Sequence, residues 1–189
     1  GLWSYTITGG WDNTAKAMAP IEDIDGDDRH DLIVCSEDGY VRCFNGNAHG
    51  PGDVLWAHEV YSGPVYSRKG LDIVHDIDGD GIDDIVIGTT GGARLVRMLS
   101  GRTGTEMWSF HTNHVGDGGW VYQVDGSRDF TGDGVRDVLA CAGDDGDDTG
   151  PIRADCLDGL DGTIVWQRPL GGPVFAIRAV EDFTDDGVP

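Results

Sequence analysis

The sequence predicts an all-β fold, a β-propeller of four-stranded antiparallel blades, and three observations carry that reading. The composition favours turns over helices. One acidic loop string recurs at a constant interval. Between its copies, short Val- and Ile-rich runs alternate with glycine-containing turns.

Composition comes first. The chain has 189 residues with 34 acidic against 13 basic side chains, a net charge of −21. Asp supplies 29 of the acids and Glu only 5, while Arg outnumbers Lys 11 to 2. With 31 glycines, Asp and Gly together make up 60 residues. Both favour turns and caps over helix interiors. So acidic a chain has no basic stripe with which to displace counterions from phosphates, which argues against nucleic acid as a partner. No apolar run approaches the roughly 20 residues needed to span a membrane.

The repeat sets the architecture. DIDGDDRHD begins at Asp23, DIDGDGIDD at Asp76, DFTGDGVRD at Asp129 and DFTDDGVP at Asp182, each 53 residues after the last. A tryptophan recurs between them, at Trp56, Trp108 and Trp166, with an initial one at Trp3. In the second repeat the order is an apolar run at Leu71 to Val74, the loop from Asp76 to Asp84, and an apolar run from Ile85 to Gly88. Runs from Arg94 to Leu99 and from Thr105 to Phe110 follow. Short Val/Ile-rich runs bounded by glycine turns read as four antiparallel strands. Four-strand units at this spacing are the signature of propeller blades. The expected division is 1–16 as the last strand of a preceding blade and a linker, blades at 17–69, 70–120 and 121–170, and 171–189 as the start of another. Trp3 falls where a preceding blade would end, and Pro189 falls inside a fourth loop. The expectation is therefore a segment of a seven- or eight-bladed propeller, or a chain whose copies complete one another's blades.

The loops are candidate cation sites. At positions 1, 3, 5, 7 and 9 the first offers Asp23, Asp25, Asp27, the Arg29 carbonyl and Asp31. The second offers Asp76, Asp78, Asp80, the Ile82 carbonyl and Asp84. The third offers Asp129, Thr131, Asp133, the Val135 carbonyl and Asp137; the fourth offers Asp182, Thr184, Asp186 and the Val188 carbonyl. Ca²⁺ takes about six to eight hard oxygen ligands, and short Asp side chains at alternate positions of a tight turn can converge on it. Without a cation, four carboxylates within nine residues would only repel one another. A helix–loop–helix calcium loop closes with Glu at position 12. Here that position holds Val34, Ile87 or Ala140, and Asp at position 9 closes the loop instead.

The D-x-D-G-D-x-x-x-D-[LIV] loop between the first two strands of a blade resembles the FG-GAP repeats of integrin α-subunit propellers and their bacterial and archaeal relatives. The D-G-x-x-G-x-x-x-W ending looks like the tryptophan-docking repeat of pyrroloquinoline-quinone (PQQ) propellers. The first resemblance implies a loop that binds Ca²⁺ and stiffens its blade, about one ion per complete loop and three in all, on a propeller that displays ligand-binding loops. The third and fourth loops depart from it with Thr at position 3.

Cys35 and Cys141 occupy one position of the repeat, and Cys43 and Cys156 another; the second repeat has Gly88 and Met98 there. Paired occurrence on neighbouring strands leads to the expectation of disulfides Cys35–Cys43 and Cys141–Cys156, with four small core thiols as the alternative. Disulfides and external Ca²⁺ would both place the chain outside the cytoplasm. The three internal tryptophans are expected to pack between blades. The insertion from Gly143 to Asp155 is taken as a solvated acidic loop, and His111 and His114 are given no metal or catalytic role.

No nucleophile-elbow, CxxC or phosphate-cradling motif is present, so no catalytic residue is assigned. The leading expectation is a secreted or cell-surface, calcium-binding propeller used for binding, adhesion or assembly, with a protein or carbohydrate ligand or self-assembly. The alternatives are a propeller enzyme (a PQQ-type dehydrogenase or a Ca²⁺-dependent polysaccharide lyase) and a subunit of an extracellular filament or sheath.

Overall fold

A computed structural model describes residues 3–9, 14–60, 65, 67–92, 94–112, 119–143, 152–182 and 184. All regular structure among them is strand. Three four-stranded sheets follow one another along the chain. The first is β2 (Ala15–Ile21), β3 (Asp31–Ser36), β4 (Tyr40–Phe44) and β6 (Val54–Glu59). The second is β7 (Leu71–Val74), β8 (Asp84–Gly88), β9 (Leu95–Leu99) and β10 (Glu106–His111). The third is β11 (Trp120–Arg128), β12 (Asp137–Gly143), β13 (Arg153–Leu157) and β14 (Ile164–Pro169). Each is an antiparallel meander in chain order. The two-residue strands β1 (Trp3–Ser4) and β5 (Gly50–Pro51) pair in parallel.

Strand β7 packs against both β2 and β11, so the first strands of the three sheets lie together. The sheets stack face to face, the blade arrangement that the sequence predicts. The middle blade shows the physical reason for its composition. Alternate residues of a strand point to opposite faces. Ile85, Ile87 and Leu99 join Ile33, Val41 and Ala17 of the first blade in one core cluster. Val86, Val96 and Met98 join Val121, Val138 and Leu157 of the third in another. Strand β8 is therefore buried throughout rather than at alternate positions. Burying one such Ile or Val side chain contributes about 1.5–3 kcal/mol. Gly88 is small because a neighbour requires it: a Cβ there would lie 2.4 Å from a Val121 methyl.

The expected disulfides do not form. Cys35, Cys43, Cys141 and Cys156 are all free, buried thiols. The register explains it. Cys35 lies opposite Val41 and Cys43 opposite Ile33. Cys141 lies opposite Ala154 and Cys156 opposite Leu139. Each pair is thus diagonal across the sheet, where Cα atoms sit about 7–8 Å apart, beyond the roughly 4.4–6.8 Å that a disulfide spans. The cysteines are small core residues. Cys43 faces Trp56 and Cys156 faces Trp166 across the outer strand pair, as Met98 faces Trp108. Burial pushes their thiols up, Cys141 to about 11 and Cys43 and Cys156 to about 12.

Candidate metal centre

Each of the first three Asp loops connects the first and second strands of a blade and is built by its own side chains. The position-1 carboxylate sits at the centre of the turn. Asp76 accepts the N–H groups of Gly79 (2.7 Å), Asp80 (3.0 Å) and Gly81 (2.8 Å). Asp23 accepts those of Gly26, Asp27 and Asp28, and Asp129 those of Thr131, Gly132 and Gly134. The position-5 carboxylates of Asp27, Asp80 and Asp133 accept the position-7 N–H groups of Arg29, Ile82 and Val135. Winding the backbone this tightly takes it into the left-handed region at Gly79 (φ 79°) and Gly81 (φ 91°), where a Cβ is strained. In the first loop Asp28 itself adopts φ 66° at the position held by Gly81.

The electrostatics of the position-1 carboxylates Asp76 and Asp23 differ from those of Asp25 at position 3. The Gly81 N–H is the largest influence on Asp76 and, with Gly79 and Asp80, lowers its pKa despite desolvation. For Asp23 desolvation is the largest single effect and acts upward, but its three N–H donors together outweigh it, and the pKa is lowered. Asp25 is raised, by desolvation and then by its neighbours Asp27, Asp31 and Asp23. Asp25 thus bears the mutual repulsion that a cation would relieve.

The closing carboxylates differ again, being buried at the sheet edge: Asp31 is 2%, Asp84 0% and Asp137 0% exposed. One oxygen accepts the N–H of loop position 2: Ile24, Ile77 and Phe130 at 2.8, 2.8 and 2.6 Å. The other accepts the N–H of a glycine 15, 17 or 22 residues downstream: Gly46, Gly101 and Gly159 at 3.0, 3.0 and 3.1 Å. Desolvation is the main cause that pushes Asp84 up to about 6 and also raises Asp137.

The structure brings together one oxygen each of Asp23, Asp25 and Asp31, and of Asp76, Asp78 and Asp84, all within 4.8 Å of one another in each group. Oxygens on opposite sides of a Ca²⁺ ion stand about 4.6–5.2 Å apart, so both groups fit that ion. Accepting an N–H does not exhaust a carboxylate, which offers about four lone-pair sites. In the third loop the Thr131 hydroxyl takes the place of a carboxylate and donates to Asp129 at 3.2 Å. Thr184 repeats this contact with Asp182 at 3.1 Å. Asp186 and Val188 lie outside the described residues, as do His114 and most of the Gly143-to-Asp155 insertion.

Three side chains next to the loops had no signature in the repeat. Asn45 donates to Asp25 from the turn after β4. Arg102 holds Asp80 by an ion pair at 3.2 Å and by a hydrogen bond to its carbonyl at 2.9 Å. Glu22 crosses to the next blade, where its carboxylate accepts the Asp83 N–H at 3.4 Å. The glycine after each third strand, by contrast, was visible in FNGN, LSGR and LDGL, but only the fold shows that it seats the closing Asp.

Trp56 and Trp108 join adjacent blades, while Trp166 is placed only opposite Cys156 of its own sheet. Trp56 Nε1 donates to the Gly101 carbonyl at 3.0 Å, and Trp108 Nε1 to the Gly159 carbonyl at 2.8 Å. Their rings cover Gly104 and Gly162, where a Cβ would lie 2.4 and 2.6 Å from the indole. Trp3 covers Gly52 in the same way and stacks on Phe44 with centroids 5.4 Å apart.

Among solved structures, the chain is similar to that titled the crystal structure of BamB from Moraxella catarrhalis, with 16% identity and a TM-score of 0.46. The match covers 74% of this chain and 33% of that one, so this chain spans about a third of that protein's length. The family model described as an FG-GAP-like repeat matches residues 76–140, from the first Asp of the second loop through the third loop into β12. Outside that stretch, the loop string that opens it at Asp76 recurs at Asp23.

Proposed function

We propose that this chain is a Ca²⁺-stabilised segment of an extracellular β-propeller that serves as a binding, adhesion or assembly module. The observation that carries the reading is the convergence of the Asp23–Asp25–Asp31 and Asp76–Asp78–Asp84 oxygens. In the first loop Asp23, Asp25, Asp27 and Asp31 would hold the ion with the Arg29 carbonyl. In the second Asp76, Asp78, Asp80 and Asp84 would do so with the Ile82 carbonyl. The third loop would take a third ion through Asp129, Thr131, Asp133, Asp137 and the Val135 carbonyl. The role of the metal is structural: it offsets carboxylate repulsion inside a turn whose backbone is already wound. Binding to the folded chain alone raises its stability.

The extracellular placement rests on the loops and on the acid excess. Extracellular calcium modules work at about 10⁻⁴–10⁻³ M Ca²⁺, a regime open to loops whose position-3 carboxylates, Asp25 and Asp78, face solvent. The cysteines, expected to support that placement as disulfides, are free thiols and count against it. A protein or carbohydrate ligand, or a further copy of the chain, is the proposed partner.

Thermal unfolding in millimolar Ca²⁺ and in chelator tests the reading. Saturation of one site at about 100 Kd adds about 2.7 kcal/mol, a shift of several degrees. An unchanged midpoint, together with no heat of binding, would overturn it.

A further inference from the structure

We propose that each Asp loop, when it holds its cation, locks the seam between its own blade and the blade before it. The relay has three members: the closing Asp, the glycine it seats, and the tryptophan of the preceding blade. This deepens the calcium reading and rests on it.

The geometry recurs. Asp84 accepts the Ile77 N–H inside the loop with one oxygen and the Gly101 N–H with the other. The Gly101 carbonyl accepts the Trp56 indole from the first blade. Asp137 does the same with Phe130 and Gly159, and the Gly159 carbonyl accepts Trp108 from the second blade. Asp31 seats Gly46 likewise, and in that blade Trp3 lies on Gly52 and Phe44.

The glycine is wedged as well as bonded. A Cβ on Gly46, Gly101 or Gly159 would stand 1.9 Å from the carbonyl oxygen of His30, Asp83 or Arg136, the residue just before the closing Asp. The turn that receives the tryptophan thus rests on the backbone of the cation loop itself. A cation that fixes the closing carboxylate fixes the glycine N–H, and the carbonyl of that same glycine is the tryptophan's acceptor. The path is contiguous and short, and it runs from a loop of one blade to a side chain of its predecessor.

The test uses the full chain. Calorimetry counts Ca²⁺ sites, and NMR follows exchange of the Trp56 and Trp108 indole N–H groups, assigned with Trp56→Phe and Trp108→Phe. Ca²⁺ is expected to slow both by about tenfold or more. Asp78→Asn removes an exposed ligand of the second loop but keeps the oxygen that accepts the Asp80 N–H at 3.1 Å. It should delete one site and the Trp56 response while Trp108 still responds. Asp133→Asn in the third loop should do the reverse. Calcium binding that leaves both indoles unchanged overturns the relay and leaves the calcium reading standing. So do variants that affect both indoles equally, since that is general stabilisation. Absence of any binding heat overturns both.

Discussion

Trp108 and Gly159 stand 51 residues apart in sequence and are joined by an indole N–H to carbonyl hydrogen bond of 2.8 Å. Gly159 is in turn held by the buried carboxylate of Asp137, which closes the third Asp loop. Packing between blades and loop chemistry therefore meet at one glycine. Trp108, 8% exposed, is at the same time part of the apolar seam between the second and third blades.

Two glycine substitutions should separate wedge from loop. Gly101→Ala places a Cβ against the Asp83 backbone, which cannot yield as a side chain would. It is expected to lower unfolding free energy by about 3 kcal/mol or more, the scale of a disrupted core contact. Gly79→Ala meets nothing within 4 Å and suffers only its φ of 79°. Its cost is expected to be about 1 kcal/mol. Urea denaturation in saturating Ca²⁺ measures both; equal costs would contradict the assigned geometry.

The pH dependence of the metal-free chain has a definite sign. Desolvation of Asp84 pushes its pKa up to about 6, above the ordinary carboxylate value of 3.8. A raised carboxyl contributes stability that is fully present below the unfolded value and is lost as pH rises through the folded one. In chelator, the Asp84 contribution should thus fall between about pH 4 and pH 7. Asp84→Asn should flatten that part of the profile. In Ca²⁺ the trend reverses, because the metal takes the ionised form and its affinity rises with pH. Thermal midpoints at four pH values with and without Ca²⁺ check both slopes.

The third loop should be the weakest of the three complete ones, since Thr131 supplies a neutral oxygen where Asp25 and Asp78 supply charge. Ligand charge is one of the quantities that tune calcium affinity. Thr131→Asp is expected to strengthen that site by about tenfold, read as a shift in the weakest step of a calorimetric titration. A weaker site after the substitution would mean that the Thr131 hydroxyl is the better ligand in this turn.

The thiols give a test of the strand register. All four are buried, and burial raises their pKa values. A thiol reagent is expected to modify none within minutes on the native chain and all four in denaturant. Reductant should leave the melting midpoint unchanged. Disulfide-linked peptides under non-reducing digestion would refute the diagonal register of Cys35 with Cys43 and Cys141 with Cys156.

Much of the fold was legible because it is local. Leu71 to Val74, taken from the sequence as one run, is the strand β7 as observed. The other strands of that blade end within a residue or so of the expected runs. The Asp loops were equally legible, since an Asp that caps N–H groups two to five residues ahead needs nothing from the rest of the chain. The seam was not. Asn45 on Asp25, Arg102 on Asp80 and Glu22 on Asp83 are contacts across turns or blades, with no constant spacing to reveal them.

By itself the sequence determined the four-strand unit, its repeat and the carboxylates of each loop. The alternation of side chains along a strand and short-range capping are set by neighbouring residues. Only the tertiary structure decided that the cysteines are diagonal, that the closing Asp looks toward a turn as well as toward the loop, and that this turn receives the preceding blade's tryptophan. A strand's own pattern tells which residues share a face; which residue lies opposite depends on the partner strand and on how the next blade packs over both.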